Sequence, residues 1–291
     1  MSRALADALD KLLGAEGSSA ATLFTTAQRR ELDRFARQTG TLRLVTQGRG
    51  ASYQLIDAVL ARAHLDQLRP VSIAGLDASL PTRANNIARM RDSKGRGHTH
   101  GTNYLLLKAL GPGVAWHRGD GAIFDLSANT MLAGASVIAF EPSDGWHTDA
   151  PIWLVENQAL FDRLDWLPPN THGSIIYYGG QLSRLFLEWM SQRARASRIV
   201  FFPDYDGVGL LNFARLIERS ITSVEFWLMP DWTERLRKYG SNALWQKTRN
   251  DFGSAVARLD FLGRRSELTP LCQAMSAQGL ALEHEAVWLE L

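Results

Sequence analysis

Cysteine is nearly absent from this sequence, since Cys272 is the only one in 291 residues. A single cysteine excludes an intramolecular disulfide and a zinc site built from several cysteines. Long apolar runs are also missing, and no segment approaches the roughly 20 apolar residues that a membrane-spanning helix needs. The opening segment, MSRALADALDKLLGAEG, contains acidic residues and fits an amphipathic helix better than a signal peptide. These absences predict a cytoplasmic protein that does not enter a membrane.

The chain also lacks a strong excess of positive or negative charge, because its 32 Lys and Arg residues nearly balance its 30 Asp and Glu residues. The charges are nevertheless unevenly distributed along the chain. Residues 1–140 carry 17 basic and 11 acidic residues, whereas residues 141–291 carry 15 basic and 19 acidic ones. A basic half beside an acidic half suits a polyanion-binding module joined to a metal-binding one. Scatter of surface charge is the alternative explanation.

Short apolar segments alternate with helical segments in the second half of the chain. The predicted strands are 152–157, 174–180, 198–206 and 223–230, and the predicted helices between them are QALFDRLDWL, 181–196 and 208–220. Alternation with short connections is typical of an α/β fold with a doubly wound parallel sheet and helices on both faces.

The first half of the chain is less regular. We expect a helix at 25–40, a strand in TLRLVTQ and a second helix at 52–69. This order in a basic context is compatible with a winged-helix or helix-turn-helix module. A polar segment at 141–151, EPSDGWHTDAP, indicates a boundary. We therefore predict a basic, winged-helix-like α+β DNA-binding domain at 1–145 and a catalytic α/β domain at 146–291.

Unusual residues stand at the ends of three predicted strands. Glu156 follows the first strand, Gly179 and Gly180 follow the second, and Asp204 and Asp206 follow the third. Because the carboxyl ends of parallel strands meet at one edge of a sheet, we expect the acids to converge there, with the glycines leaving space for a phosphate. Carboxylates about 4 Å apart repel by roughly 4 kcal/mol at an effective dielectric near 20. A divalent cation such as Mg²⁺ or Mn²⁺ removes that repulsion.

Each of these features also has a purely structural explanation. Asp206 can cap the helix that begins in GVGLL, Glu156 can pair with an arginine, and the two glycines can form a tight turn. The DGVG segment is a poor match to a dinucleotide-binding loop, because it lacks the third glycine and follows the third strand. The ordered set Glu, Gly-Gly, Asp-x-Asp at the ends of strands in one sheet favours a metal site.

The segments VENQALF, YYGGQLSRLF, FFPDYDGVGLLNFARL and GLALEHEAVW resemble the Toprim domain over about residues 150–290. They are most similar to the branch that contains the topoisomerase VI A subunit and the nuclease subunit of Wadjet-type condensin systems, which cleave plasmid DNA. The resemblance implies that Glu156, Asp204 and Asp206 hold Mg²⁺ or Mn²⁺, with Glu156 also a candidate general base. Glu285 matches an acidic motif of the nuclease branch and is a candidate accessory ligand; a helix-surface carboxylate is the alternative.

The same resemblance implies a homodimeric, metal-dependent endonuclease for double-stranded DNA, recruited by an SMC-type ATPase complex in plasmid defence. The topoisomerase branch further implies a nucleophilic tyrosine after an Arg-Asp-like signature. Tyr53, predicted on a helix, and Tyr104 both lack that setting, so hydrolysis by water is the simpler expectation. A breaking and rejoining enzyme and a non-catalytic DNA-binding scaffold subunit remain the alternatives.

A basic, glycine-containing segment, RANNIARMRDSKGRGHTHG, covers residues 83–101. Cations on a backbone that can approach a duplex closely are suited to phosphate contacts. A solvated loop is the alternative explanation. The predicted DNA-binding residues here are Arg83, Arg89, Arg91, Lys94, Arg96, His98 and His100.

Overall fold

The computed structural model describes residues 3–15, 17–48, 50–69, 71, 79–90, 93 and 102–291. The chain divides into two compact units, residues 1–100 and residues 101–291. No helix in the described ranges combines the length and the apolar character needed to cross a bilayer.

The N-terminal unit combines helices with a small antiparallel sheet. Its helices are α1 (Arg3–Gly14), α2 (Thr26–Thr39), α3 (Ala58–Leu68) and α4 (Thr82–Met90), with a 3-10 helix at Ala21–Leu23. Its strands are β1 (Ser18–Ala20), β2 (Leu42–Gln47) and β3 (Gly50–Leu55), in the order β1–β3–β2. The helix predicted at 25–40 is confirmed. It begins with a capping box, in which Thr25 and Gln28 each accept a hydrogen bond from the other's backbone N–H.

The segment 52–69 is not one helix, so that prediction is wrong. Residues Gly50–Leu55 form β3 and pair antiparallel with β2, and α3 begins only at Ala58, with Asp57 as its N-cap. Gly48 has a φ of 57°, a left-handed conformation that allows the chain to reverse between the two strands. The backbone pairing of β3 with β2 therefore prevails over the helix propensity of residues 52–55.

The C-terminal unit consists of a central sheet with helices around it. Its strands are β4 (Asn103–Leu110), β5 (Ala115–His117), β6 (Ile123–Asp125), β7 (Ser136–Phe140), β8 (Ile152–Val155), β9 (Gly173–Tyr177), β10 (Ile199–Phe202) and β11 (Val224–Phe226). Its helices are α5 (Leu126–Ala133), α6 (Gln158–Asp162), α7 (Arg184–Gln192), α8 (Gly207–Arg219), α9 (Trp232–Tyr239), α10 (Asn242–Phe261) and α11 (Thr269–Gln278), with 3-10 helices at Arg265–Leu268 and His284–Trp288.

The central sheet has six strands in the order β11–β10–β8–β9–β4–β7. β8, β9, β10 and β11 run parallel, as the alternation of strands and helices predicts. β4 runs antiparallel to β9 on one side and to β7 on the other, so the sheet is mixed rather than purely parallel. The fold class is therefore α/β, with a mixed sheet.

The boundary between the two units differs from the predicted one. β4 and β7 lie in the range assigned to the N-terminal domain, yet their ladders place both of them in the central sheet. The division therefore falls between residues 100 and 101 instead of 145 and 146. Hydrophobic burial explains the difference, because Leu105, Leu107 and Phe140 belong to the same buried core as β8 and β10.

The polar segment 141–151 is held against the C-terminal unit by Arg195. The Arg195 side chain is fully buried and donates hydrogen bonds to the carbonyl oxygens of Pro142, Asp144 and Trp146 and to the Asp144 carboxylate. Burial lowers the pKa of Arg195 to about 10, so the guanidinium keeps its charge at neutral pH. A buried cation with several acceptors fixes this segment, which explains why its polarity does not mark a domain boundary.

Two glycines at the start of α8 allow close packing. A Cβ on Gly207 would lie 2.0 Å from the carbonyl oxygen of Thr248 and 2.5 Å from the backbone nitrogen of Phe252, both in α10. A Cβ on Gly209 would lie 2.1 Å from the carbonyl oxygen of Asp204. The glycines of DGVG therefore allow close contacts with the protein's own backbone. This packing explains the two glycines, so a bound dinucleotide is not needed to explain them.

The variant Gly207→Ala is expected to lower the free energy of unfolding by about 1–3 kcal/mol, because α8 must move away from α10. Gly253→Ala provides the matched control, since Gly253 lies exposed in α10 with no atom within 4 Å of an added Cβ. That control should be neutral or stabilising by up to about 1 kcal/mol through helix propensity. Chemical denaturation measures both; equal effects of the two substitutions would contradict the packing role of Gly207.

Candidate metal centre

The predicted acids lie at the carboxyl edge of the central sheet. β8 and β10 are neighbours in register, with Val155 opposite Phe202, and Glu156 and Asp204 follow shortly after these two residues. From β8 the chain continues to β9 on one side of β8, whereas β10 lies on the other side. This is a topological switch point, where a crevice opens between the connections that leave the two strands. Ligands of doubly wound sheets bind in such crevices.

Glu156 is oriented by Tyr178, which the sequence did not predict as a site residue. The hydroxyl of Tyr178 donates a hydrogen bond to Glu156 Oε2 at 3.1 Å, and the Tyr178 ring stacks on Phe201 of β10 with centroids 5.6 Å apart. The only sequence signal for this role is the position of Tyr178 in YYGG, immediately after β9. The hydrogen bond fixes one oxygen of Glu156 at the carboxyl edge of the sheet.

Asp204 is held by the C-terminal segment of the chain. Its Oδ1 accepts a hydrogen bond from the backbone N–H of His284 at 2.9 Å. Next to it, the backbone of Tyr205 forms a two-way bridge with Leu282, at 2.8 and 3.0 Å. These bonds attach the segment that contains His284 and Glu285 to the end of β10.

Asp206 caps α8, as the structural alternative predicts. Its Oδ1 accepts the backbone N–H of Gly209 at 2.7 Å, and the residue is only 5% exposed. The cap does not exclude metal binding, because a carboxylate has two oxygens and about four acceptor positions.

Burial destabilises the charged form of all three carboxyl groups, and neighbouring acids add to the effect. The pKa of Glu156 rises to about 7, first through burial and then through the charges of Asp204 and Asp206. Burial raises the pKa of Asp204 to about 6, with Glu283 adding to the effect, and burial also raises the pKa of Asp206 to about 6. Within the described ranges, no ion pair joins a Lys or Arg to these three side chains. The predicted alternative, a Glu156–arginine pair, is not formed there.

Among the described residues, one group of candidate metal ligands includes a histidine that the sequence prediction lacks. One atom each from Asp204, His284 and Glu285 lies within 4.8 Å of the others. His284 Nδ1 is 3.0 Å from Asp204 Oδ1, and Nε2 is 3.6 Å from Glu285 Oε2. The carboxylate of Glu285 also accepts a hydrogen bond from the side chain of Asn157. The accessory carboxylate predicted at 285 therefore lies beside Asp204.

Burial dominates the electrostatics of His284. It lowers the pKa of the imidazole to about 4, against the opposing charges of Glu285 and Glu283 and the carbonyl of Pro203. The ring is therefore neutral at neutral pH, which is the form that binds metal ions. The signal that could have indicated this residue is its place between two acids in LEHEA.

The predicted glycine turn is present after β9. Gly179 and Gly180 have φ of 61° and 70°, in the left-handed region. The carbonyl of Gly180 accepts a hydrogen bond from Asn212 of α8 at 3.4 Å, and Arg215 of the same helix donates to the Leu182 carbonyl at 3.1 Å. Both bonds tie the turn to the helix that Asp206 caps.

The predicted DNA-binding residues fall partly on α4 of the N-terminal unit. Arg83 is exposed and donates to Ser93 Oγ at 3.4 Å, whereas Arg89 is half-buried. The remaining five lie outside the described residues: Arg91, Lys94, Arg96, His98 and His100.

A second basic surface in the N-terminal unit was not assigned from the sequence. Arg29, Arg30 and Arg37 are exposed on α2 and line a shallow groove between that helix and the β2–β3 hairpin. Arg34 is also exposed on α2 but pairs with Glu31. The signal was present in TAQRRELDRFARQ, where the arginines recur at helical spacing.

The two first-half tyrosines occupy different environments. Tyr53 lies in β3, not on a helix as predicted, and is 1% exposed. Its hydroxyl donates to Asp33 Oδ1 at 2.7 Å, and burial raises its pKa further above the ordinary value. Tyr104 is 69% exposed on β4. Tyr53 is thus a core residue with a satisfied hydroxyl group, which removes it as a nucleophile.

The raised pKa of Glu156 predicts pH-dependent stability. A carboxyl group with a higher pKa in the folded state binds its proton more tightly when folded, so stability falls as pH rises from 4.5 to about 7. In EDTA, Glu156→Gln should retain about 1–3 kcal/mol of the stability that the wild type loses over this window. Thermal denaturation at pH 5 and pH 8 measures the difference. The control is Glu225→Gln, which removes an exposed carboxylate on β11. If Glu156→Gln loses as much stability between pH 5 and pH 8 as the wild type and this control do, the buried-charge explanation is wrong.

Comparison with protein families places the candidate metal ligands within one family domain. The family model described as a domain of unknown function, DUF7281, matches residues 127–289, which include Glu156, Asp204, Asp206 and His284. No curated protein matches the chain. Because the match covers more than half of the 291 residues, the chain belongs to the DUF7281 family.

Proposed function

We propose that this protein is a metal-dependent endonuclease that hydrolyses phosphodiester bonds of duplex DNA. The observation that carries the proposal is the convergence of Glu156, Asp204 and Asp206 at the switch point of the sheet, with no described Lys or Arg paired to them. Glu285, brought beside Asp204 by the C-terminal segment, adds a fourth carboxylate. Carboxylates in a crevice without cationic partners are suited to a hard divalent ion and a polyanionic substrate.

The residues fit Mg²⁺ or Mn²⁺ by their chemistry. Such an ion, when bound, polarises the phosphodiester group and lowers the pKa of a water molecule. Asp204 and Asp206 would hold the ion, each oriented by a backbone N–H, from His284 and Gly209 respectively. Glu156, oriented by Tyr178, would help to position the ion and would accept the proton of the attacking water as general base. The turn at Gly179 and Gly180 would leave room for the scissile phosphate.

The resemblance to the Toprim domain supports this proposal. The order of its motifs agrees with the positions of the residues in the fold, since the glutamate follows β8, the glycine pair follows β9 and Asp-x-Asp follows β10. A homodimer and an SMC-type ATPase partner follow from that resemblance only. Supercoiled plasmid DNA is therefore the first substrate to test.

We also propose that the N-terminal unit binds the DNA. The order α1, β1, 3-10 helix, α2, β2, β3, with the sheet order β1–β3–β2, supports a winged-helix arrangement in which α2 is the recognition helix. In helix-turn-helix proteins that helix enters the major groove. Arg29, Arg30 and Arg37 give α2 a phosphate-binding surface in addition to the predicted segment 83–101.

Replacing Glu156 by Gln or Asp204 by Asn should reduce cleavage of supercoiled plasmid with Mn²⁺ or Mg²⁺ by about 10²–10⁴-fold. Gel electrophoresis measures cleavage, and fluorescence anisotropy in EDTA should report unchanged DNA binding. Glu225→Gln, an exposed carboxylate of the same sheet, is the control and should cleave like the wild type. Cleavage that persists in EDTA, or in the Glu156→Gln/Asp204→Asn double variant, would disprove the proposal.

The nature of the cleaved ends separates hydrolysis from a topoisomerase-like reaction. If the enzyme hydrolyses DNA, the cleaved ends are free of protein once the reaction is denatured, and they migrate normally without protease treatment. Ends that migrate normally only after protease digestion would instead establish a covalent protein–DNA link and a breaking and rejoining enzyme. Absence of both cleavage and Mn²⁺ binding would support a DNA-binding scaffold.

Replacing Arg29, Arg30 and Arg37 together by Gln should weaken duplex binding at every sequence. Because each phosphate contact contributes about one unit to the slope of log K against log salt, we expect that slope to fall by roughly 2–3. Arg3→Gln, an exposed arginine of α1 that pairs with Asp7, is the matched control and should leave the slope unchanged. Anisotropy titrations between 50 and 200 mM salt, the range over which such slopes are clear, make the measurement. An unchanged slope in the triple variant would exclude α2 as the DNA-binding surface.

A further inference from the structure

We propose that Asp204, His284 and Glu285 form a cation position with a nitrogen ligand, which prefers Mn²⁺ to Mg²⁺ and lies next to the position formed by Glu156 and Asp206. The inference deepens the proposed function, on which it rests, because it names the metal for which this part of the site is suited. Asp204 would be shared between the two positions.

The first support is the environment of the His284 ring. The side chain has no exposure to solvent, and one face packs against Phe202, with ring centroids 5.4 Å apart. Neither Nδ1 nor Nε2 meets full hydrogen-bond geometry with a described residue, although Asp204 Oδ1 lies 3.0 Å from Nδ1 and the Pro203 carbonyl also acts on the ring. An unsatisfied buried polar atom costs about 1–3 kcal/mol, and most such atoms in folded proteins have a partner. A cation bound to one ring nitrogen supplies the missing interaction.

The second support is the spacing of the ligand atoms. Two atoms that each lie about 2.1 Å from one ion are roughly 3–4 Å from each other. One ligand atom from each of Asp204, His284 and Glu285 lies within 4.8 Å of the other two. Only one ring nitrogen can bind the ion, so the three side chains would draw together by a few tenths of an ångström or more on binding it.

The third support is the chemistry of the donors. Mg²⁺ binds oxygen atoms and dehydrates reluctantly, so an imidazole is a poor ligand for it. First-row transition ions accept imidazole together with carboxylates, with Mn²⁺ the weakest-binding of the series and Cu²⁺ the strongest. One nitrogen and two carboxylates thus discriminate against Mg²⁺, whereas the carboxylates of Glu156 and Asp206 do not.

The test uses the full-length protein, stripped of metal with EDTA. Titration of Mn²⁺, followed by the electron paramagnetic resonance signal of the free ion, should reveal two classes of site in the wild type. His284→Gln should remove one class or weaken it at least about tenfold, while Mg²⁺ binding measured by calorimetry stays within about twofold. The control is His172→Gln, an exposed histidine just before β9, at the opposite end of the strand from Gly179.

A second measurement does not depend on the folding of a variant. Electron spin echo modulation of Mn²⁺ bound to the wild-type protein should contain coupling to an imidazole nitrogen, and its absence would overturn the inference. Equal losses of Mn²⁺ and Mg²⁺ affinity in His284→Gln would also overturn it, because His284 would then only position Asp204. Glu156→Gln should keep the nitrogen coupling even if the protein cleaves no DNA, so the two proposals can fail separately.

Discussion

Buried negative charge at one edge of a sheet is the constraint on which the C-terminal unit depends. Glu156, Asp204 and Asp206 lose hydration on folding and face one another, and burial is the largest cause of each raised pKa. The donors around them are a tyrosine hydroxyl and backbone N–H groups, which orient the carboxylates without neutralising them. This arrangement preserves the charge for a ligand, at the expense of the stability of the ligand-free protein.

The strands that carry the acids are predictable from local sequence. Short apolar runs bounded by polar residues predict β8 to β11, and the shared direction of parallel strands places Glu156 and Asp204 at one edge. The contribution of β4 is not predictable in this way, because its partner β9 is remote in the chain: Leu110 pairs with Gly173. Local patterns contain no information on which distant strand completes a sheet, and the domain boundary was misplaced for that reason.

His284 was missed for a related reason. Its backbone contact with Asp204 joins residues 80 positions apart, and nothing in the sequence near either residue indicates the other. The error at 52–69 has the opposite origin. There, residues of good helix propensity follow directly after a strand, and only the β2–β3 hairpin, which turns at Gly48, shows where the strand ends and the helix starts. Sequence patterns therefore identified the helices and strands more accurately than the residues at which they begin and end. They also identified the acidic residues of the site, but not the residues that contact them from distant parts of the chain.

The cap of α8 has a consequence for how this edge can vary. Asparagine, serine and threonine begin a helix about as well as aspartate does, and none of them carries charge. Folding thus requires a side-chain acceptor at position 206 but not an anion, and an anion at 5% exposure is the less favourable choice for the isolated chain. A relative of this protein with an uncharged cap at that position would keep the helix while giving up whatever the negative charge attracts.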